Sequence, residues 1–270
     1  MSATDKLFTG SIPKAYDEYI VPLIFSAFAE DLARRVASLS PASVIETAAG
    51  TGVVTRALAA KLGSDARYVV TDLNKPMLDH AALRQGDDRR ITWRQADALD
   101  LPFHDEEFDV VCCQFGAMFF SDRLRGFLEA NRILKAGGTF IFNVWDRIED
   151  NLFANEVTVA LAEVFPDDPP LFLARTPHAY HDERLIHDEL HSAGFSSVSV
   201  EKKSEQSRAP SARHVAIAYC QGTPLRNEIE ARTSGGLEAA TEHAAAAIAR
   251  IHGNGEVIAK IQGLVIQAKK

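Results

Sequence analysis

Apolar positions recur at helical spacing through the opening segment, Tyr16 to Leu39, at Ile24, Phe28, Leu32 and Val36, and Ser40-Pro41 ends the run. The period then shortens. Val44-Ile45 predicts a brief strand, followed by a glycine turn and a helix from about Val53 to Leu62 with Gly63 as its cap. Tyr68 to Thr71 predicts a second strand. Pro76 then falls in the first turn of a second helix, where its missing N–H does no harm. Ile91 to Arg94 and Phe108 to Gln114 predict strands three and four. The fourth is almost wholly apolar, as expected of a strand covered on both faces. A helix over about Arg123 to Leu134 follows, with Gly137-Gly138 closing it before a fifth strand at Thr139 to Val144.

Beyond Trp145 the pattern loosens. Asn151 to Phe165 reads as helical, and Pro166, Pro169, Pro170 and Pro177 then break the chain. Asp182 to Ser192 predicts a helix stopped by Gly194, and Ser197 to Val200 a sixth strand. Gln206 to Ser211 is polar and loop-like. Helical stretches follow at about Ala212 to Arg232, interrupted at Gly222 and Pro224, and at Leu237 to Ile251. Val257 to Gln267 fits a final strand or a short helix equally well. Alternation of strands and helices points to an α/β fold with a doubly wound, mostly parallel sheet, whose ligand site lies at the carboxyl ends of the strands.

Composition narrows the function classes. The 270 residues carry a formal net charge of -8, with no Lys/Arg run longer than a pair, which disfavours a nucleic-acid partner. The three cysteines, Cys112, Cys113 and Cys220, lack any CxxC spacing, so no metal or disulfide framework is expected. No apolar run reaches the length of a membrane span and the first residues lack a signal-peptide core, so a cytoplasmic location is expected.

The sharpest chemical signal is the turn Glu46-Thr47-Ala48-Ala49-Gly50-Thr51-Gly52 between strand and helix. Small residues let backbone approach a ligand, and the following helix N-terminus offers free N–H groups. A dinucleotide turn would want a third glycine where Thr55 stands, and Glu46 suits a cationic ligand better than a pyrophosphate. Asp72 ends the second strand, on the order of 20 residues beyond the glycines, where an acid binds ribose hydroxyls. Asn74 suits the helix cap, which leaves Asp72 for a ligand. Asp97, in Gln95-Ala96-Asp97-Ala98-Leu99, falls at the same rim; by itself it reads equally as a turn residue.

Together with Thr71-Asp72-Leu-Asn-Lys-Pro-Met77, Ala96-Asp97-Ala-Leu-Asp-Leu-Pro-Phe103, Phe108-Asp109-Val-Val and Arg132-Ile-Leu-Lys-Ala-Gly-Gly-Thr139, this turn resembles those of the class I S-adenosylmethionine-dependent methyltransferases. The similarity is to the subset that contains ubiquinone/menaquinone C-methyltransferases and many small-molecule enzymes. The resemblance covers about Tyr16 to Trp145 well and the rest loosely. It implies a Rossmann-like seven-stranded sheet with helices on both faces and helical insertions over the active site. Within it, residues 1–40 form an N-terminal helical lid and residues 41–204 and 255–270 form the core. Insertions are expected at about 149–180 and at 205–254.

The resemblance also implies roles. Glu46, Ala48, Gly50 and Gly52 hold the methionine end of S-adenosylmethionine and line its ribose, and Asp72 binds the ribose hydroxyls. Leu73 or Met77 packs on the adenine. Asp97 accepts from the adenine amino group with Ala98 beside it, and Gln114, Phe115 and Gly116 flank the methionine carboxylate and sulfonium. Where Ala48 stands the family often has glycine. Tyr16 and Trp145 are the candidates on the acceptor side; His178 and His181 are expected to pack or face solvent.

His187 and His191 have the i, i+4 spacing of a zinc helix, but Asp188 replaces the glutamate of such motifs and no third ligand is evident. The Asn/Asp-Pro-Pro-aromatic segment of base-modifying enzymes is replaced by Gln114-Phe115-Gly116-Ala117, against nucleic-acid base amines as acceptors. The expected partner is a small-molecule acceptor, and a homo-oligomer stays open. A nicotinamide-dependent oxidoreductase and a non-catalytic S-adenosylmethionine-binding protein are the rival readings.

Overall fold

The computed structural model describes residues 16–232 and 236–270. In chain order it runs α1 (Tyr16–Phe25, wound in wide π turns around Pro22), α2 (Ser26–Ser38), β1 (Ser43–Glu46), α3 (Val53–Ala59), β2 (Arg67–Asp72) and α4 (Lys75–Gln85). Next come β3 (Ile91–Gln95), β4 (Phe108–Gln114), α5 (Arg123–Ile133), β5 (Leu134–Trp145), α6 (Leu152–Val164), α7 (Phe172–Arg175) and α8 (Glu183–Ser192). The chain finishes with β6 (Ser197–Ala209), α9 (Ala212–Gly222), α10 (Leu225–Arg232), α11 (Gly236–His252) and β7 (Val257–Lys269).

The seven strands form one sheet in the order β3-β2-β1-β4-β5-β7-β6. The pairs β1–β2, β1–β4, β2–β3 and β4–β5 are parallel. Gly138 lies opposite Lys270, and Asp146 opposite Gln262, so β7 runs antiparallel to β5. This is the mostly parallel, doubly wound α/β sheet that the sequence predicts. Strand order reverses between β1 and β4, the switch point where such sheets bind ligands.

The chain divides into two compact units. One comprises residues 27–144, 181–202 and 264–270. Its strands alternate faces, so Val44, Tyr68, Val70, Val110, Cys112 and Ile141 meet α2, α3 and α4 through Leu32, Val36, Val54, Leu58 and Leu78. On the opposite face Phe140 and Phe142 stack at 4.7 Å, and Phe127 of α5 packs on Phe142 at 5.4 Å. Burying each such side chain contributes roughly 1.5–3 kcal/mol.

The other unit comprises residues 16–26, 145–180 and 203–263 in their described parts and is mainly helical, with α6, α9 and α11 among its helices. Here a buried polar network surrounds Asp146 and Asn151. Gln262 Nε2 donates to Asp146 Oδ2 at 2.7 Å, and Asn151 Oδ1 accepts from Gln262 N–H at 3.0 Å.

Three local expectations are revised. Gly137-Gly138 does not close α5; β5 begins directly at Leu134, and the glycines sit where its register with β4 slips between Phe108 and Val110. The polar stretch from Gln206 is strand as far as Ala209, because its side chains find partners: Ser207 Oγ donates to the Leu23 carbonyl at 2.8 Å. The ambiguous Val257 run is a strand, flanked in the sheet by β5 and β6.

Candidate cofactor site

After β1 the chain turns from Thr47 to Gly52, and α3 starts at Val53. Three residues of the turn have positive φ: Ala48 at 53°, Gly50 at 56° and Gly52 at 77°. Left-handed backbone costs a residue with a Cβ about 1–2 kcal/mol, so Ala48 is strained where glycine is not. Neighbouring strands fix the turn. Ala49 N–H donates to the Thr71 carbonyl at 3.0 Å, and Gly50 N–H donates to Asp72 Oδ2 at 2.8 Å. A Cβ on Gly52 would fall 2.9 Å from the Ala81 Cβ, so the turn and α4 touch through backbone.

The turn after β4 repeats the device. Phe115 has φ of 51°, and its N–H is shared between the carbonyl and the side-chain Oδ1 of Asn143, both at 3.0 Å. A Cβ on Gly116 would lie 2.5 Å from the Ala48 Cβ and 2.7 Å from Cys113 Sγ. The two turns therefore interlock, with Gly116 accommodating Ala48.

Asp72, at the end of β2, is buried and held by two backbone amides: Gly50 N–H on Oδ2, and Asn74 N–H on Oδ1 at 2.7 Å. Burial raises its carboxyl above the ordinary range, while those amides pull it back down. Asn74 stands at the cap of α4, yet its side chain makes no capping bond. Asp72 is thus pinned rather than left free as the sequence suggested, though each oxygen keeps a second lone pair. Leu73 is exposed, and Met77 is buried with its Cε 3.8 Å from where a Gly50 Cβ would stand.

The loop after β3 is tied to this region by Ala96 N–H, which donates to the Asp72 carbonyl at 3.1 Å, and by Gln95 Nε2, which donates to the Leu73 carbonyl at 2.8 Å. Asp97 is exposed and accepts from Leu99 N–H at 2.9 Å; Ala98 beside it is half-buried, as is Gln114 at the end of β4.

Glu46 departs from its expected placement. It is 1% exposed, and its Oε2 accepts from Thr55 Oγ1 at 2.7 Å and from the Tyr68 hydroxyl. Its carboxylate reaches α3 and β2 beneath the turn, because a buried carboxylate needs donors and these hydroxyls supply them. Burial pushes its carboxyl up to about 7, and the two hydroxyl donors only partly offset that. Thr55 and Tyr68 were missed from sequence. The available signal was a tyrosine in an otherwise aliphatic strand, since a buried Tyr O–H usually has a partner.

Tyr16 and Trp145 both belong to the other unit, where Phe25 lies between them, 5.5 Å from the Tyr16 ring and 5.8 Å from the Trp145 ring. His178 is buried in the same unit, and its Nδ1 donates to the Asp146 carbonyl at 2.8 Å. Among the described residues no group of three or more His, Cys, Asp or Glu is placed to hold a metal ion.

The set around Gly50 offers acceptors on Asp72, close backbone approach and one unmet group. Thr51 Oγ1 is buried without a hydrogen-bond partner among the described residues, which suits a polar ligand that would complete it. These features fit a nucleoside-bearing cofactor.

The methyltransferase-domain family Methyltransf_11 matches residues 45–142. The chain is 31% identical over 174 residues to a demethylmenaquinone methyltransferase from Clavibacter sepedonicus, covering 61% of this chain and 70% of that protein. It is 30% identical over 147 residues to the mitochondrial 2-methoxy-6-polyprenyl-1,4-benzoquinol methylase of Homo sapiens, covering 50% of this chain and 45% of that one. Among solved structures, a phosphoethanolamine N-methyltransferase 2 of Haemonchus contortus shares the fold with a TM-score of 0.63 at 16% identity, covering 100% of this chain and 61% of that one. The chain belongs to the class I S-adenosylmethionine-dependent methyltransferases and resembles their ubiquinone/menaquinone C-methyltransferase branch. It is an enzyme whose cofactor is S-adenosylmethionine. Among the described residues no helix is long and apolar enough to cross a membrane.

Proposed function

We propose that this enzyme methylates a small organic acceptor, with quinols as the class to test first. The cofactor half of this reading is carried by the Gly50 N–H bond to Asp72 Oδ2, which joins the β1 turn to the acid after β2. The acceptor half is supported by the names of the relatives, two of which act on quinone-type rings.

S-Adenosylmethionine supplies an electrophilic methyl group; the protein's task is to position and to exclude water. In this reading Asp72 accepts from the ribose hydroxyls, and Ala48, Gly50, Thr51 and Gly52 line the ribose and methionine end. Leu73 and Met77 flank the adenine, Asp97 accepts from its amino group, and Ala98 lies beside it. Gln114, Phe115 and Gly116 border the methionine carboxylate and sulfonium. Glu46 braces the turn from beneath. Tyr16 and Trp145 serve the acceptor side. We place the enzyme in a reducing cytoplasm, a reading supported by three buried free thiols. The net charge of -8 supports the absence of a nucleic-acid partner.

The test has two arms. Thermal unfolding with S-adenosylhomocysteine at a hundredfold excess over its Kd should show about 2.7 kcal/mol of stabilisation, and NAD should show none. Labelled methyl from S-adenosylmethionine should then appear on a reduced short-chain demethylmenaquinone and not on phosphoethanolamine. Stabilisation by NAD alone would overturn the cofactor half; labelling of phosphoethanolamine instead would overturn the quinol assignment.

A further inference from the structure

The last two strands in the sheet order, β7 and β6, carry an open cleft that methyl transfer does not use. Side chains alternate along a strand, so Ser204, Gln206 and Arg208 share one face of β6, and Ile258, Lys260 and Gln262 share one face of β7. Ser204 Oγ donates to Gln262 Oε1 at 2.6 Å, which puts both sets on the same side of the sheet. Gln262 is buried in the network around Asn151, whereas Arg208 and Ile258 are exposed and Lys260 is half-buried. Over these outer positions, with Leu152 of α6 alongside, lies a cleft of about 710 Å³. Its lining belongs wholly to the mainly helical unit, and none of it comes from the turns after β1 and β4 or the loop after β3.

The charges of the cleft are opposite to those of the whole chain. Arg208 donates from Nη2 to the neutral Gln206 Oε1 at 2.6 Å, and among the described residues no carboxylate pairs with it. Lys260 Nζ donates to Asp150 Oδ1 at 2.8 Å, while Arg147 Nε takes the other oxygen of Asp150 at 2.7 Å. A guanidinium has five N–H groups and an ammonium three, so Arg208 and Lys260 both keep donors for a ligand. Glu205, also on the lining, is 2.7 Å from Lys203 Nζ. The lining charges and their bonded partners thus set Arg147, Lys203, Arg208 and Lys260 against Asp150 and Glu205, a local excess of positive charge on a chain of net charge -8. Ile258 and Leu152 add apolar surface beside the cations. The volume is that of a small-molecule site and far exceeds a bare ion.

We propose that this cleft binds a small organic anion, its phosphate or carboxylate held by Arg208 and Lys260 and its apolar body lying over Ile258 and Leu152. The planar fork of Arg and the point charge of Lys are the donors that such groups select. The site is independent of the cofactor and acceptor readings given above.

The experiment titrates the intact, isotope-labelled protein with phenyl phosphate, benzoate, inorganic phosphate and benzyl alcohol, followed by amide chemical shifts at low salt. Phenyl phosphate or benzoate should shift the amides of Gln206, Arg208 and Ile258 with a single saturating Kd. The tighter of the two identifies the anionic group as phosphate or carboxylate. Inorganic phosphate should bind at least about fivefold more weakly, since it lacks the apolar body, and benzyl alcohol should cause no shift there. R208Q should weaken the tighter ligand about tenfold, the value of a charged hydrogen bond, and its exposed position should leave Tm unchanged. K260Q should do the same; should it lower Tm through loss of the Asp150 pair, R208Q alone carries the test. Shifts confined to other residues, affinity within twofold of the native protein in R208Q, or inorganic phosphate or benzyl alcohol binding as tightly as the organic anions would overturn the proposal.

Discussion

The turns after β1 and β4 and the loop after β3 all stand at the carboxyl ends of parallel strands, yet they are built differently. The first two interlock: Ala48 and Phe115 are both held in left-handed backbone, and Gly116 leaves room for the Ala48 methyl. Their amides are fixed by long-range partners, Thr71, Asp72 and Asn143. Asp97, in the loop after β3, is exposed, and among the described residues its carboxylate accepts from Leu99 N–H two residues onward. Strain of this kind persists only where surrounding structure over-determines it. The comparison teaches that the turns after β1 and β4 are preorganised by packing, while Asp97 stands exposed on a local turn.

If that is right, substitutions on the packed side should damage fold and binding together, and substitutions on the open side should touch binding alone. The largest effect is expected from Gly116→Ala, whose new methyl meets Ala48 and Cys113. Overpacking of this kind costs about 1–3 kcal/mol, read as a lower Tm, and S-adenosylhomocysteine affinity should fall with it. Adding Ala48→Gly should recover part of that loss, a coupling that a double-mutant cycle measures. Independent, additive effects would break the interlocking account.

Asp72→Ala comes next. It strips the acceptor from the Gly50 and Asn74 amides, and S-adenosylhomocysteine affinity should weaken about 10- to 100-fold by calorimetry. An intact affinity would show that the turn holds its shape without that carboxylate.

Asp97→Ala is the smallest. It should weaken affinity by about three- to tenfold, the value of one ordinary hydrogen bond, and leave Tm almost unchanged. A fall in Tm as large as that of Gly116→Ala would erase the distinction between the two sides.

How much of this was legible in the chain depended on whether the signal was local. The strands β1 to β4, the proline-started α4 and the glycine turn follow from period and turn chemistry over short stretches, and each forms close to its expected place. The position of Asp72 at the end of β2 was readable from the strand's apolar run. The boundary errors arose where partners are remote. Polar Ser207 sits in a strand because Leu23 accepts its hydroxyl, and Gly137-Gly138 lie inside β5 because its register with β4 slips there.

The sequence by itself determined the α/β class and, through motifs that resemble those of the class I methyltransferases, the S-adenosylmethionine chemistry, since each rests on residues close together along the chain. Only the tertiary structure decided where the Glu46 carboxylate points. Its strand-end position suggested a group facing the ligand; instead it is enclosed beneath the turn with Tyr68, 22 residues away, and Thr55. Burial and hydrogen-bond partners belong to the packed chain, and they set the side chain's direction and its affinity for a proton. The same holds for Gly116, whose need to be glycine arises from Ala48 across the site.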